Sequence, residues 1–138
     1  MQAIKYYCDA AKQGYIAAQF MLAEIYSNDS KIAAMWYRKA AEQGHMMAQY
    51  KLGYLYENVH SGCTYGYQME AVRWYRKAAE QGNSDAQYKL GGCYYNGRGV
   101  GKDYAEAVKW YRKAAEQGNS RAQYKLDMLR ESYDYDGK

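Results

Sequence analysis

Few residues of this chain have the type and spacing that catalysis or metal binding requires. His60 and Cys63 are separated as two metal ligands would be, but a zinc site needs about four ligands, and neither His45 nor Cys93 extends a recognisable motif. Since the only histidines are His45 and His60, no Ser/His/Asp or Cys/His arrangement for nucleophilic catalysis can be assembled. We therefore predict no metal, no cofactor and no catalytic residue.

A glycine-rich stretch from Asn96 to Asp103 has the composition of a phosphate-binding loop. It lacks the Gly-Lys-Ser/Thr ending of such loops, and it precedes a predicted helix without following a strand. Asp103 and Glu106 have instead the spacing of an N-terminal helix cap. The stretch is predicted to be a turn, and nucleotide binding is not expected.

Basic residues next to aromatic ones could imitate a nucleic-acid surface. The net charge is +4, and the basic pairs are Arg38-Lys39, Arg76-Lys77 and Arg112-Lys113. A glutamate follows each pair, and each pair lies in the last turns of a predicted helix, where cations complement the helix dipole. Nucleic acid is therefore not the expected partner.

The elements that must position these residues come from a repeated phrase. Trp-Tyr-Arg-Lys-Ala-Ala-Glu-Gln-Gly occurs unchanged at 36–44, 74–82 and 110–118, and a degraded copy occupies 6–14. Four residues after each closing glycine begins Ala-Gln-x-x-Leu, at Ala18, Ala48, Ala86 and Ala122. Such self-similarity is typical of a solenoid, in which each unit buries its apolar face by stacking on its neighbours.

Apolar residues at helical spacing predict an all-α chain of about seven helices and no strand. Each closing glycine is predicted to end a helix in the left-handed conformation. We expect a leading second helix at 2–14, helix pairs at 15–44, 45–82 and 83–118, a trailing capping helix at 119–131 and a frayed tail at 132–138. Within these units, helix 68–81 follows the longest loop, and Ser120 is the predicted cap of the last helix.

The stretch from Ala86 to Gly118, AQYKLGGCYYNGRGVGKDYAEAVKWYRKAAEQG, closely resembles the Sel-one-like repeat (SLR), a relative of the tetratricopeptide repeat. The resemblance covers about residues 2–131. It implies a single α-solenoid domain over 1–138, built of stacked antiparallel helix pairs in a right-handed superhelix. It also implies a non-enzymatic scaffold or adaptor that binds proteins, as members of this family do in bacteria.

Aromatic residues alternate with lysines on the predicted first helices of the pairs, outside the apolar stripe. Rigid amphipathic rings near flexible cations are favoured in protein interfaces. We predict that they form an inner face that binds a peptide or protein partner, through Phe20, Tyr50, Lys51, Tyr54, Tyr88, Lys89, Tyr95, Tyr124 and Lys125. The alternative is that some of these tyrosines fill gaps between repeats.

Two other functions fit the resemblance. An immunity or inhibitor protein that sequesters a toxin or effector would be a special case of binding. A hydrolase of the β-lactamase-like type claimed for cysteine-rich relatives is the weaker alternative, because this chain lacks their paired cysteines and any Ser-x-x-Lys. No small-molecule substrate is expected.

The three cysteines, Cys8, Cys63 and Cys93, are expected to be free thiols, since their number is odd and they do not recur at equivalent repeat positions. Cys63 with Cys93 would be the pair if a bridge formed. No apolar run approaches the roughly 18 residues of a membrane helix, and no secretory signal is visible. A cytoplasmic location follows, unless the chain is a piece of a longer secreted or periplasmic protein.

The two ends of the predicted array differ. Asp127 and Arg130 give the last helix a polar outer side, as a terminal repeat requires. The first helix lacks a partner, so part of the apolar row at Ile4, Tyr7 and Ala11 is expected to be uncovered. The chain is therefore expected to be the C-terminal piece of a longer array or to form a homo-oligomer through this end.

Overall fold

The computed structural model describes residues 2–58 and 64–135, and these residues form eight helices and no strand. The helices are α1 (Gln2–Lys12), α2 (Ile16–Ile25), α3 (Ser30–Glu42), α4 (Met46–Glu57), α5 (Thr64–Glu80), α6 (Ser84–Asn96), α7 (Tyr104–Glu116) and α8 (Ser120–Tyr135). The all-α prediction is confirmed. The described residues hold eight helices, against about seven predicted, and they follow the predicted order of a leading helix, three pairs and a trailing helix.

Each helix packs against the next one in the chain, so the helices form a stack of antiparallel pairs. The pairs are α2/α3, α4/α5 and α6/α7; α1 has the sequence of a second helix, and α8 that of a first helix. The core is divided among four clusters of buried residues that follow one another along the stack. The predicted solenoid is thus confirmed.

The two repeated phrases supply this core. Leu22, Leu52 and Leu90 of the Ala-Gln-x-x-Leu phrase are completely buried, and so are Tyr75 and Trp74 of the longer phrase. Small residues let the aromatic rings approach. A Cβ atom placed on Gly53 would lie only 2.8 Å from Cδ1 of Tyr75, and Gly91 stands in the same relation to Tyr111.

A shared turn ends the second helix of each pair. At the end of α3, the Gly44 N–H donates to the carbonyl of Ala41 and the His45 N–H donates to the carbonyl of Ala40, which is the Schellman arrangement. Gly44 has a φ of +95°, and the glycines at positions 14, 82 and 118 have φ values between +92° and +102°. The predicted left-handed stop is confirmed at all four places.

The residue after this glycine begins the next helix. Asn83 Oδ1 accepts a hydrogen bond from the Ala86 N–H at 2.7 Å, and Asn119 Oδ1 accepts one from the Ala122 N–H at 3.0 Å. The cap of α8 is therefore Asn119, and the prediction of Ser120 was wrong, because the residue directly after the closing glycine is the cap, as it is at His45 and Asn83.

The glycine-rich stretch between α6 and α7 is a turn, as predicted. Asp103 caps α7 by accepting a hydrogen bond from the Glu106 N–H at 3.1 Å. Gly99 lies against the backbone of α5, since a Cβ atom there would come within 2.5 Å of the Gln68 carbonyl oxygen. The stretch therefore packs against the second helix pair, α4/α5, while it connects the two helices of the third pair.

Two predicted boundaries change. Helix α5 begins at Thr64 rather than at 68, so it includes part of the segment predicted as a loop. Helix α8 ends at Tyr135 rather than at 131, because no glycine or proline interrupts 132–135. Of the predicted tail, 136–138 lie outside the described residues, as do 59–63 of the loop.

The apolar row of α1 is covered at one end only. Ala11 is buried against Ala18 and Leu22 of α2, whereas Ile4 is half-buried. The covered part of the row is thus Ala11, and Ile4 and Tyr7 remain partly accessible. None of the described helices is both long enough and apolar enough to cross a membrane.

Candidate protein-binding surface

The nine predicted interface residues lie on α2, α4, α6 and α8, the first helices of successive pairs. We call them the inner row. They divide into rings that pack on the core and side chains that face solvent.

Three rings of the inner row pack against the buried tyrosines of the neighbouring helices. The ring centroids are 5.8 Å apart for Phe20 and Tyr37, 5.9 Å for Tyr50 and Tyr75, and 5.7 Å for Tyr88 and Tyr111. The repetition of one geometry in three pairs indicates a packing role. Phe20, Tyr50 and Tyr88 therefore fill the gaps between helices and keep only part of each ring at the surface.

Other members of the inner row present larger surfaces. Tyr54 is 46% exposed and Tyr124 is 64% exposed. The Lys89 ammonium lies 5.5 Å from the centroid of the Tyr54 ring, and the Lys125 ammonium lies 5.9 Å from that of Tyr95. These contacts join lysines of one helix to rings of the helix one pair earlier, at two places along the row.

Tyr95 is also in contact with Tyr104 of α7, at a centroid distance of 5.4 Å, and is half-buried. Lys51 is half-buried on α4, and none of the described ion pairs involves it. Each predicted residue is thus placed on the expected helices, but their exposures differ.

Glu57 joins this surface to the core and was missed by the sequence analysis. Its Oε1 atom accepts hydrogen bonds from the Tyr75 hydroxyl at 3.0 Å and from the Lys89 ammonium at 3.2 Å. Burial, followed by the neighbouring Glu57 carboxylate, raises the pKa of Tyr75, so this phenol remains a donor. The repeats gave only a weak signal for Glu57, because its position holds a glutamate in two copies of the phrase, at Glu57 and Glu131, and Ser27 and Tyr95 in the other two.

A small cavity of about 170 Å³ opens next to Glu57 and Lys89. Arg98 and Lys125 also line it, so cations outnumber the single carboxylate. Cys93 lies in its wall, but burial raises the pKa of this thiol to about 12, and the protonated form is a poor nucleophile. The cavity can receive a polar group of a partner and offers no activated nucleophile.

A second repeated feature lies beneath the inner row. The side-chain amide of the buried Gln87 donates to the Ala79 carbonyl at 3.1 Å and accepts from the amide of Gln117 at 2.9 Å. Gln49 and Gln19 make the same two hydrogen bonds in the earlier repeats. This glutamine ladder links three consecutive helices at a time. The ladder could have been recognised in the sequence, because a glutamine recurs in both the Trp-Tyr phrase and the Ala-Gln-x-x-Leu phrase.

His45 has a structural role. Its Nδ1 atom accepts a hydrogen bond from the Ala48 N–H at 3.0 Å, which caps α4, and its ring stacks on Phe20 at 4.6 Å. The part of the chain that the structure describes contains no group of three or more potential metal ligands. The pair His60 and Cys63 lies outside the described residues, and Cys8 and Cys93 are free thiols.

Comparison with known proteins identifies the repeats. The sequence model of the Sel1 repeat matches residues 1–15, 16–45, 47–83 and 84–119. None of the curated proteins compared with the chain matches it.

Solved structures share both the fold and part of the sequence. The structure of c5321, a protective antigen present in uropathogenic Escherichia coli strains and displaying an SLR fold, is 40% identical, with a TM-score of 0.83; the alignment covers 92% of this chain and 28% of that one. A Sel1 repeat protein from Oxalobacter formigenes is 35% identical, with a TM-score of 0.78 and coverage of 92% and 98%. Helicobacter pylori cysteine-rich protein B is 27% identical, with a TM-score of 0.69 and coverage of 91% and 92%. The chain belongs to the Sel1 repeat family.

Proposed function

We propose that this chain is a non-enzymatic scaffold or adaptor that binds a peptide or protein segment along the inner row. Sel1 repeat proteins often serve as protein-interaction scaffolds. The observation that carries the proposal is the series of surface rings and lysines, in which Lys89 lies over the exposed Tyr54 and Lys125 lies over the half-buried Tyr95.

The chemistry of this surface favours an extended segment of mixed character. The exposed faces of Tyr54 and Tyr124 can cover apolar side chains, at little cost in conformational entropy because the rings are rigid. The lysines and Arg98 beside the small cavity can bind carboxylates or backbone carbonyls of the same segment. Glu57 holds Lys89 in place, so part of the surface is already ordered before binding.

The test separates surface residues from packing residues. Peptides selected from a displayed random library by the parent protein would be titrated against a Tyr54→Ser, Tyr124→Ser double variant. We expect affinity to fall about tenfold or more, which corresponds to roughly 1.4 kcal/mol, while helicity is unchanged. The control is Tyr65→Ser, which removes a ring that is 60% exposed on α5, a second helix. Equal affinities of parent and double variant would contradict the proposal.

A further inference from the structure

A second candidate site lies at the end of the stack, in a groove between α7 and α8 that we call the end groove. Its volume is about 650 Å³. Val108 of α7 and Leu126 and Leu129 of α8 give it an apolar lining, and Arg112 of α7 and Arg130 of α8 also line it. It shares Tyr95 with the inner row, and its other lining residues lie outside that row.

The end groove exists because the last interface between pairs departs from the repeat. In the two earlier interfaces an arginine of the second helix donates to a tyrosine of the following helix, from Arg38 to Tyr56 and from Arg76 to Tyr94. Arg112 is the third arginine of this series, and the residue in place of the tyrosine is Arg130. Two like charges replace a hydrogen bond, and the ring that filled the space is absent.

Neither arginine forms an ion pair with any side chain that the structure describes. Among the lining side chains that the structure describes, only Asp127 has a carboxylate, and it accepts a hydrogen bond from the amide of Gln123 at 3.0 Å. The lining therefore has an excess of positive charge beside apolar side chains. This combination complements a carboxylate that lies next to an apolar side chain.

Asp127 changes the position against which the tyrosine of a following Trp-Tyr helix would pack. The earlier repeats have small residues there, Ala23, Gly53 and Gly91, and a Cβ atom on either glycine would lie 2.8 Å from the tyrosine ring of the following helix. The aspartate side chain is larger than all three and charged, so it leaves less room for such a ring. This favours an occupant of the end groove other than one more repeat helix.

We propose that the end groove binds an acidic peptide segment in which a glutamate or aspartate lies next to a large apolar side chain. Arg112 and Arg130 bind the carboxylate, and Leu126 and Leu129 cover the apolar side chain. The planar guanidinium groups favour a carboxylate because they can donate two parallel hydrogen bonds.

The experiment is a fluorescence anisotropy titration of the protein with a labelled peptide, acetyl-Glu-Leu-Glu-Phe-Glu-amide. Two control peptides replace either the glutamates by glutamine or the leucine and phenylalanine by alanine. The test variant is Arg130→Tyr, which restores the residue of the earlier repeats and can pair with Arg112, so the fold is retained. The matched control is Arg121→Gln, which removes an exposed arginine of α8 outside the end groove.

We expect the acidic peptide to bind, and its affinity to fall at least tenfold in Arg130→Tyr, in both control peptides and on raising the ionic strength from about 0.05 to 0.5 M. Arg121→Gln should bind like the parent. If the alanine peptide bound with the same affinity as the acidic peptide, the apolar side chains would contribute nothing to binding, and the proposal would be overturned. So would undiminished binding by Arg130→Tyr, or no binding of the acidic peptide at millimolar concentration.

Discussion

At the scale of single residues, the stack depends on positions where a side chain is absent. Two glycines are adjacent in α6, and only one of them faces a ring. A Cβ atom on Gly91 would lie 2.8 Å from Cδ1 of Tyr111, whereas one on Gly92 would lie 3.6 Å from the Tyr111 hydroxyl oxygen, an ordinary contact. The same chemical change should therefore have opposite effects at neighbouring positions.

We predict that Gly92→Ala stabilises the protein by up to about 1 kcal/mol, because alanine loses less backbone entropy in a helix. Gly91→Ala should destabilise it by roughly 1–3 kcal/mol, because the new methyl group displaces the buried Tyr111 ring. Urea unfolding followed by circular dichroism measures both. Equal effects of the two substitutions would show that the close approach of α6 and α7 is not required.

His45 makes the cap of α4 sensitive to pH. Burial lowers the pKa of His45 below its ordinary value of 6.5, so the folded state favours the neutral ring, whose Nδ1 atom accepts the hydrogen bond from Ala48. The cap is therefore fully effective above about pH 6.5 and is lost as the pH falls through the folded pKa. The positive ring also opposes the dipole at the helix N-terminus.

We predict that His45→Asn, which installs the residue of the two later caps, makes stability less dependent on pH. The comparison is the melting temperature of parent and variant at pH 7.5 and pH 5.0. The parent should lose more stability on acidification, by an amount no larger than the roughly 1 kcal/mol of a typical cap. An identical pH dependence in both proteins would show that His45 does not cause the loss of stability on acidification.

At the scale of helices, the glutamine ladder couples each pair to the helix before it. Gln87→Leu should lower the free energy of unfolding by roughly 1–3 kcal/mol, because the Ala79 carbonyl and the Gln117 amide lose their buried partner. Gln123 occupies the same position of the phrase in α8, but it is exposed and bonds only to Asp127. Gln123→Leu should therefore change the free energy of unfolding by less than about 0.5 kcal/mol. Urea unfolding measures both variants. Similar losses of stability in the two would contradict the claim that the glutamine ladder stabilises the stack.

The helices and their ends could be predicted because the sequence repeats them. The stripe leucines, the buried phrase tyrosines and the closing glycines occur several times, so each copy supports the others. The start of α5 at Thr64 could not be predicted in this way, because the segment before it does not repeat. The cap at Asn119 could not be predicted because Asn119 and Ser120 are both good cap residues and are adjacent in the sequence.

The candidate site was predictable only in part. Periodicity placed the inner row on the correct helices, but it could not separate Tyr50, which packs on Tyr75, from Tyr54, which faces solvent. That difference depends on the rotation of one helix against the next. At the position of Glu57 a glutamate recurs only as Glu131, with Ser27 and Tyr95 in the other copies, so the repetition was too weak to draw attention to it.

At the scale of the whole molecule, the stack has two unlike ends. In α8, Asp127 and Arg130 stand where the earlier repeats have a small residue and a tyrosine, whereas α1 has the sequence of a second helix. The chain spans 28% of the length of the E. coli antigen that it resembles. Whether the N-terminal end meets a further repeat or a second copy stays a prediction, which sedimentation of the parent and of Ile4→Glu over a range of concentrations would test.

The central claim is that the inner row contacts a protein partner. The most direct measurement is photocrosslinking in the source cell, with a benzoylphenylalanine in place of Tyr54 or Tyr124, compared with the same residue in place of Met35 or Met69, which are exposed on the second helices α3 and α5. We predict that Tyr54 and Tyr124 yield an adduct with the same protein and that Met35 and Met69 do not. Adducts formed only from Met35 or Met69, or none from any position, would contradict the claim.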